Sequence, residues 1–431
     1  MNRGTIASLM APLLLISATA VPAQLATRDQ SQVPVIDNPR PAWNAAQRWR
    51  LSAKPVLEIG TDVGDPNYEF GFAHGPVRLR DGRIVVADMQ ANHMRFYDAK
   101  GKYLMTVGRT GEGPGEFEQL YRLRKIAGDS LMALNPTSLT SIFSPEGKYI
   151  RRFDLDLVRN RQNMWWLGRL SNGTLLAFSL QREGTVEAPP PPDLKPNQEY
   201  ARFRIPPKPP NYRDTLMHFL FDMQGRMIDS VAKLPGQFLG EQSTVMMPNA
   251  AYAVHDNLFF HSPGDAVEIR VFRSLVGSTS APTQRREGGA ARLERIMKRP
   301  SIRSLAITDS MKKEYEVSIR ARYARFPGTP AEKEANIQRA IGRTRYPEAI
   351  PAHGNRMYAD DLGNIWLQQY QINAKSQSQW SVFDPNGRWL GQVETPVGFV
   401  VNEIGADYIL GVGEDELGVQ YVRMYRLEKP R

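Results

Sequence analysis

The chain has 431 residues, 41% apolar and 23% charged, a composition that supplies ample core and excludes a largely disordered protein. Lys and Arg exceed Asp and Glu to give a net charge of +10, which suits an acidic partner or simple solubility. Cysteine is absent, so disulfides, thiolate metal sites and a lipidated cysteine anchor are excluded.

Arg3 is followed by the apolar run Leu9–Val21, too short to span a bilayer, and by small residues at Ala18, Ala20 and Ala23. This order predicts a signal peptide over residues 1–23, cut after Ala20 or Ala23, and a periplasmic or secreted protein with no transmembrane anchor. Residues 24–54 are polar, with scattered Pro and Trp and no period, and read as an N-terminal linker. One domain is expected over residues 55–430.

Within it, Ile84–Phe117 holds three short apolar runs, IVVAD, MRFYD and YLMTVG, each closed by turn residues. Asp98-Ala99-Lys100-Gly101 places a side-chain acceptor at the start of a type I turn and a glycine where φ must become positive, so the last two runs form a hairpin. The stretch resembles the NHL repeat at Val85-Val86-Ala87-Asp88, Asn92-His93, Phe96-Tyr97-Asp98 and Gly101-Lys102. That resemblance implies a β-propeller and gives His93 a structural role near the blade turn.

The hairpin plan recurs at Phe143-Ser144-Pro145-Glu146-Gly147-Lys148, Phe221-Asp222-Met223-Gln224-Gly225-Arg226 and Phe383-Asp384-Pro385-Asn386-Gly387-Arg388. A second turn precedes an apolar run six times, at Gly82, Gly128, Gly173, Asn257, Gly363 and Asp407. The first three stand 46 and 45 residues apart, the size of a four-stranded blade, which favours blades over an open solenoid or a sandwich. The fold class is therefore all-β: a six-bladed β-propeller with blades near 72–112, 117–155, 163–235, 245–277, 350–395 and 398–428. The sixth blade runs out of sequence after three strands. Val56–Gly60 is expected to complete it, closing the ring Velcro-fashion with the N-terminal strand.

Two insertions interrupt the repeat. Residues 188–212 are Pro-rich and must be extended, since proline fixes φ and lacks a donor. Residues 285–346, between blades four and five, are expected to be helical: Met311, Tyr315, Ile319 and Tyr323 share one face, and Thr329-Pro330-Ala331-Glu332 is a capping box. This insertion is the most basic part of the chain, readable as an anion site or as a solvated helix face.

Signatures of chemistry are few. The six histidines lack metal-ligand spacing, and G-x-S-x-G, H-E-x-x-H and Walker patterns are missing. Gly108–Phe117 has the glycines of a phosphate loop without its Lys or helix, and the repeat accounts for it as an inter-blade connection. Function in such a fold is expected where equivalent loops meet at the channel, which selects His74, Tyr121, Arg122, Trp165, Asn249, His353, Asn402 and Glu403 as ligand-binding candidates. A calcium-dependent propeller lactonase needs several converging carboxylates and amides, and only Glu403 with Asn249 and Asn402 is at hand. A zinc lyase needs several histidines, and only His74 and His353 are placed for it. The reading is a non-enzymatic binding or scaffold propeller, exported and monomeric, recognising a protein, peptide or glycan and not nucleic acid. No cofactor is assigned. The alternative is a metal-assisted hydrolase or lyase with a divalent metal in the channel.

Overall fold

The computed structural model describes residues 33–61, 64–135, 139–155, 164–179, 186–187, 203–204, 213–238, 247–277, 290–300, 306–324, 328–344, 346–347, 349–371 and 376–430. The expected signal peptide and most of the Pro-rich loop lie outside them.

Six antiparallel sheets stand around a channel, each read here from the channel outwards. Blade one is Ala73–Arg78, Ile84–Asp88, His93–Tyr97 and Tyr103–Val107, and blade two Arg122–Lys125, Leu131–Leu134, Thr140–Phe143 and Tyr149–Phe153. Blade three is Met164–Arg169, Leu175–Ser179, Arg213–Phe221 and Met227–Phe238, and blade four Ala251–His255, Leu258–Ser262, Glu268–Ser274 and Ala291–Lys298. Blade five is Met357–Ala359, Ile365–Gln368, Ser378–Phe383 and Trp389–Thr395, and blade six Val400–Ile404, Tyr408–Glu414 and Gln420–Glu428. The six-bladed propeller is thus the observed fold.

Second strands such as Ile84–Asp88 and Leu175–Ser179 are buried along their whole length, because a neighbouring blade covers each face. This is why they read as unbroken apolar runs, whereas the outer strand Tyr103–Val107 alternates. Six apolar clusters fill the six inter-blade spaces, for example Val85, Phe96, Leu123 and Phe143 between blades one and two.

The outer hairpins share one mechanism. Asp98 Oδ1 accepts from the backbone N–H groups of Lys100 and Lys102 at 2.8 Å each, Gly101 takes φ 85°, and the register slips by one residue at Phe96/Tyr97. The same slip follows at Ile142/Phe143, Leu220/Phe221 and Val382/Phe383, so the turn carries a glycine bulge each time. Asp88 is likewise architectural: it accepts from the N–H groups of Gly71 and Phe72 and lies 3.5 Å from the Arg95 guanidinium.

The ring closes through the N-terminal segment. Leu57–Ile59 lies antiparallel on the last strand of blade six, Ile59 opposite Val422 and Leu57 opposite Met424. Residues before it are bound as well. Val35–Asp37 runs parallel to Ile296–Lys298 on blade four, the N–H groups of Ala42 and Trp43 donate to Trp389 and Leu390 on blade five, and Arg50–Leu51 pairs with Leu427–Glu428 on blade six. The expected linker therefore crosses the outer edges of three blades as a strap.

One expectation needs correction. Ala291–Lys298, assigned from sequence to the helical insertion, is the fourth strand of blade four, and among the described residues its helices are α1, Asp309–Ala324, and α2, Pro330–Arg343. The open edge of Glu268–Ser274 needs a partner, and cross-strand pairing, with Arg273 on Glu294, overrides the helix-like spacing of Leu293, Ile296 and Met297. In α2 the capping box forms as expected, Thr329 Oγ1 accepting from the Glu332 N–H at 3.3 Å.

Candidate functional site

Four antiparallel strands return the chain to the end of the channel at which it entered a blade, so every innermost strand starts at the same mouth. His74, Tyr121, Arg122 and Asn249 lie at or just before these starts, His353 precedes the innermost strand of blade five by four residues, and Asn402 is the third residue of Val400–Ile404 in blade six. Trp165 stands on the innermost strand of blade three, its backbone opposite Phe178, and its side chain lies outside the described residues.

His74 is half-buried, stacked on Phe72 with ring centroids 6.2 Å apart and tilted against Tyr121 at 5.5 Å. Its Nε2 is enclosed and has no hydrogen-bond partner. Burial, and then the charges of Arg122, Arg124 and Arg356, hold its imidazole down to about 4, so it is neutral at ordinary pH. Blade five is not adjacent to blade one, so the charge of Arg356 acts on His74 across the channel. Arg122 and Arg124, two apart on one strand, share a face while the intervening Leu123 is buried in the core between blades one and two. Burial and the charge of Arg122 push Arg124 down to about 10.

Glu403 is already engaged. It receives the Arg78 N–H at 3.2 Å, the Lys125 Nζ at 3.2 Å and the Tyr408 hydroxyl, while Lys125 also donates to the Arg78 carbonyl at 2.7 Å. The carboxylate thus ties blade six to blades one and two. Asn402 is the bulged residue beside it, and its enclosed Oδ1 has no partner. None of Arg122, Arg124 and Arg356 makes an ion pair with a carboxylate among the described residues.

Between blades four, five and six lies a cavity of about 430 Å³ lined by Asn249, His353, Arg356, Gln369, Tyr370 and Phe399, among others. His353 is almost wholly buried: its Nε2 takes the Ser262 hydroxyl at 2.6 Å and its Nδ1 donates to the Gly354 carbonyl. Burial lowers its pKa to about 4. Tyr370 is pushed up to about 12 by burial and then by the charge of Tyr315 on α1. Some basic residues of the insertion are met elsewhere: Arg320 pairs with Glu334, Arg295 with Glu294, Lys298 with Glu268, and Arg299 lies over the Trp389 ring.

Arg124 and Arg356 were missed by the sequence reading. Arg124 was signalled by its two-residue spacing from Arg122; Arg356 lies one residue before a strand too short to show a period.

A family model described as a 6-bladed beta-propeller (DUF5128) matches residues 73–156. A search of curated protein sequences finds no match. Solved structures resemble the chain in architecture. A candidate exported protein of Bacteroides fragilis is 11% identical, with 92% of this chain and 99% of that one covered and a TM-score of 0.47. The calcium-binding protein regucalcin of Agrobacterium tumefaciens is 9% identical over 93% and 97%, with a TM-score of 0.38. A virginiamycin B lyase of Staphylococcus aureus is 9% identical over 88% and 100%, with a TM-score of 0.37. Their functions differ from one another, and none is carried over at this distance. The class defined by fold and site is a six-bladed propeller with a cationic channel mouth. Among the described residues no helix is long and apolar enough to cross a membrane.

Proposed function

We propose that this chain is an exported, monomeric binding propeller that recognises a protein, peptide or glycan partner at the channel mouth and carries out no reaction of its own. The observation behind this reading is the state of the ionisable groups: Glu403 is held by Lys125, Tyr408 and Arg78, and both ring nitrogens of His353 are occupied. What remains to meet a partner are amide and guanidinium groups, at Asn249, Asn402 and Arg122. Such groups hold ligands by stacking and directional hydrogen bonds. A metal-assisted hydrolase or lyase needs converging donors, and no three of His, Asp and Glu gather among the described residues.

The unit around Ile84–Phe117 is taken as NHL-like, residues 1–23 as a signal peptide, and the destination as the periplasm or the exterior, which removes nucleic acid from the partners. N-terminal sequencing of the mature protein checks export, with Val21 or Gln24 expected first. Peptide and glycan arrays probed with the wild type, Tyr121→Ala and Asn249→Ala test the binding role. A defined ligand set lost in both variants at unchanged melting temperature is expected. Turnover of a lactone or ester by protein that keeps stoichiometric metal through dialysis would overturn it.

A further inference from the structure

We infer that the cavity between blades four, five and six is a subsite for a neutral sugar ring, held through its hydroxyls by Asn249, Asn355, Gln368, Gln369 and Arg356. This rests on the binding reading above and names its ligand class. All five residues line the one cavity of about 430 Å³, within the roughly 300–1,000 Å³ of small-molecule sites, and none of their side chains has a hydrogen-bond or ion-pair partner among the described residues. Gln369 carries the argument furthest: it is 9% exposed, yet its Nε2 meets no acceptor. A buried donor without a partner destabilises a fold, and the soft terminal torsion of a glutamine lets the amide turn to a hydroxyl placed beside it. Gln371, on the same rim, shows the satisfied case, with its Nε2 on the Ser376 carbonyl at 2.6 Å and its Oε1 receiving the Ser378 hydroxyl at 2.8 Å. Among the described residues no Asp, Glu or Lys lines the cavity, so Arg356 brings its one full charge. A carboxamide donates and accepts at neighbouring atoms, as does a pair of adjacent sugar hydroxyls. A peptide would dock by main-chain pairing, but the backbone here is already spent. The Gly354 N–H donates to the Gln368 carbonyl at 2.8 Å, the Gln368 N–H to the Arg356 carbonyl at 3.0 Å and the Gln369 N–H to the Gln379 carbonyl at 2.8 Å. The same bonds fix the amides to the end of blade five, while Met247 and Phe399 supply apolar wall for ring carbons.

The test is calorimetry on the full mature chain with maltotriose, triacetylchitotriose, xylotriose and mannotriose, and with trialanine, adenosine and citrate as probes of other ligand chemistries. Expected is binding of at least one trisaccharide, at an affinity that added salt leaves nearly unchanged because the ligand is uncharged. Asn355→Ala and Gln368→Ala are each expected to weaken it about 5- to 100-fold, as for one or two lost hydrogen bonds. A second readout separates a ligand contact from a structural role. Without ligand, Gln369→Met is expected to melt at or above the wild type, because the bare donor is gone, and to bind the same sugar about 10-fold less tightly or worse. The inference is overturned if no trisaccharide binds the wild type, if Asn355→Ala and Gln368→Ala bind as the wild type does, or if Gln369→Met keeps the wild-type affinity. Peptides captured on the array and lost in Asn249→Ala, with no sugar bound, would overturn it while leaving the binding reading intact.

Discussion

Asn38 is where the strap can be tested with one substitution. It is buried, and its side chain spans two blades: Nδ2 donates to the Lys298 carbonyl at 3.0 Å and the Gly387 carbonyl at 3.1 Å, and Oδ1 accepts the Trp389 N–H at 2.8 Å. In Asn38→Ala the Lys298 carbonyl keeps the Asn38 backbone N–H at 2.9 Å, whereas the Gly387 carbonyl and Trp389 N–H lose these partners. Two lost hydrogen bonds, with the Trp389 donor left enclosed, cost about 2–4 kcal/mol. Residues 33–431 form one compact unit, and a cooperative unit of roughly 400 residues loses about 3–5 °C in Tm for that amount. Calorimetry gives the Tm, and limited proteolysis should reveal earlier cutting within residues 33–52. Asn38→Asp keeps the acceptor and turns a carboxylate towards two carbonyls, so it should melt no higher than Asn38→Ala at pH 7. If both variants melt within about 1 °C of wild type and resist protease equally, the strap is not held as described.

Gly387 takes φ 90°, and a Cβ there would stand 2.8 Å from both Ile36 Cδ1 and Met297 Cγ. Gly387→Ala should therefore cost more than the roughly 1 kcal/mol of positive φ alone, read as a lowered denaturation midpoint. Burial holds His218 and His353 at about 4 and His261 at about 3, below the unfolded value near 6.5. The unfolded chain then binds protons first on acidification, so these groups make stability fall from about pH 6.5 towards 4. Each such shift is worth on the order of 3 kcal/mol. His218→Phe, placed among Phe178, Tyr252 and Phe259, should flatten that fall in urea titrations at pH 7 and 4.5, and an unchanged slope would refute the assignment. Glu403→Gln should lower the Tm through Lys125.

The fold was legible because the turn chemistry is local. Asp98 and Gly101, and their equivalents Ser144 with Gly147, Asp222 with Gly225 and Asp384 with Gly387, set the hairpin whatever the distant chain does. The strap was not legible, since Val35–Asp37 is a strand only because Ile296–Lys298 leaves an edge to pair with. Ala291–Lys298 failed for the same reason. The site was legible in part: His74, Tyr121 and Arg122 sit at the mouth as position along the innermost strand implies. Nothing local said that Ser262 would occupy His353 or that Lys125 would occupy Glu403. Those pairings join residues 91 and 278 apart in sequence, and they decide which candidates remain free for a ligand.

Energetic coupling between strap and channel can be measured. Arg122 and Arg124 share one face of an innermost strand, and their charges bear with that of Arg356 on His74. Blades in a closed ring cannot relieve like-charge repulsion by drifting apart unless an inter-blade seam opens. Along the outer edges the chain adds pairing on blade six at Leu57–Ile59 and Arg50–Leu51, the buried Asn38 clasp between blades four and five, and Trp43 against Trp49 with ring centroids 4.8 Å apart. If the channel charge is what the strap offsets, Asn38→Ala and Arg124→Gln should not be additive at low salt: the second change should restore part of the Tm lost to the first. Strict additivity in the double-mutant cycle would mean that rim and channel are energetically independent.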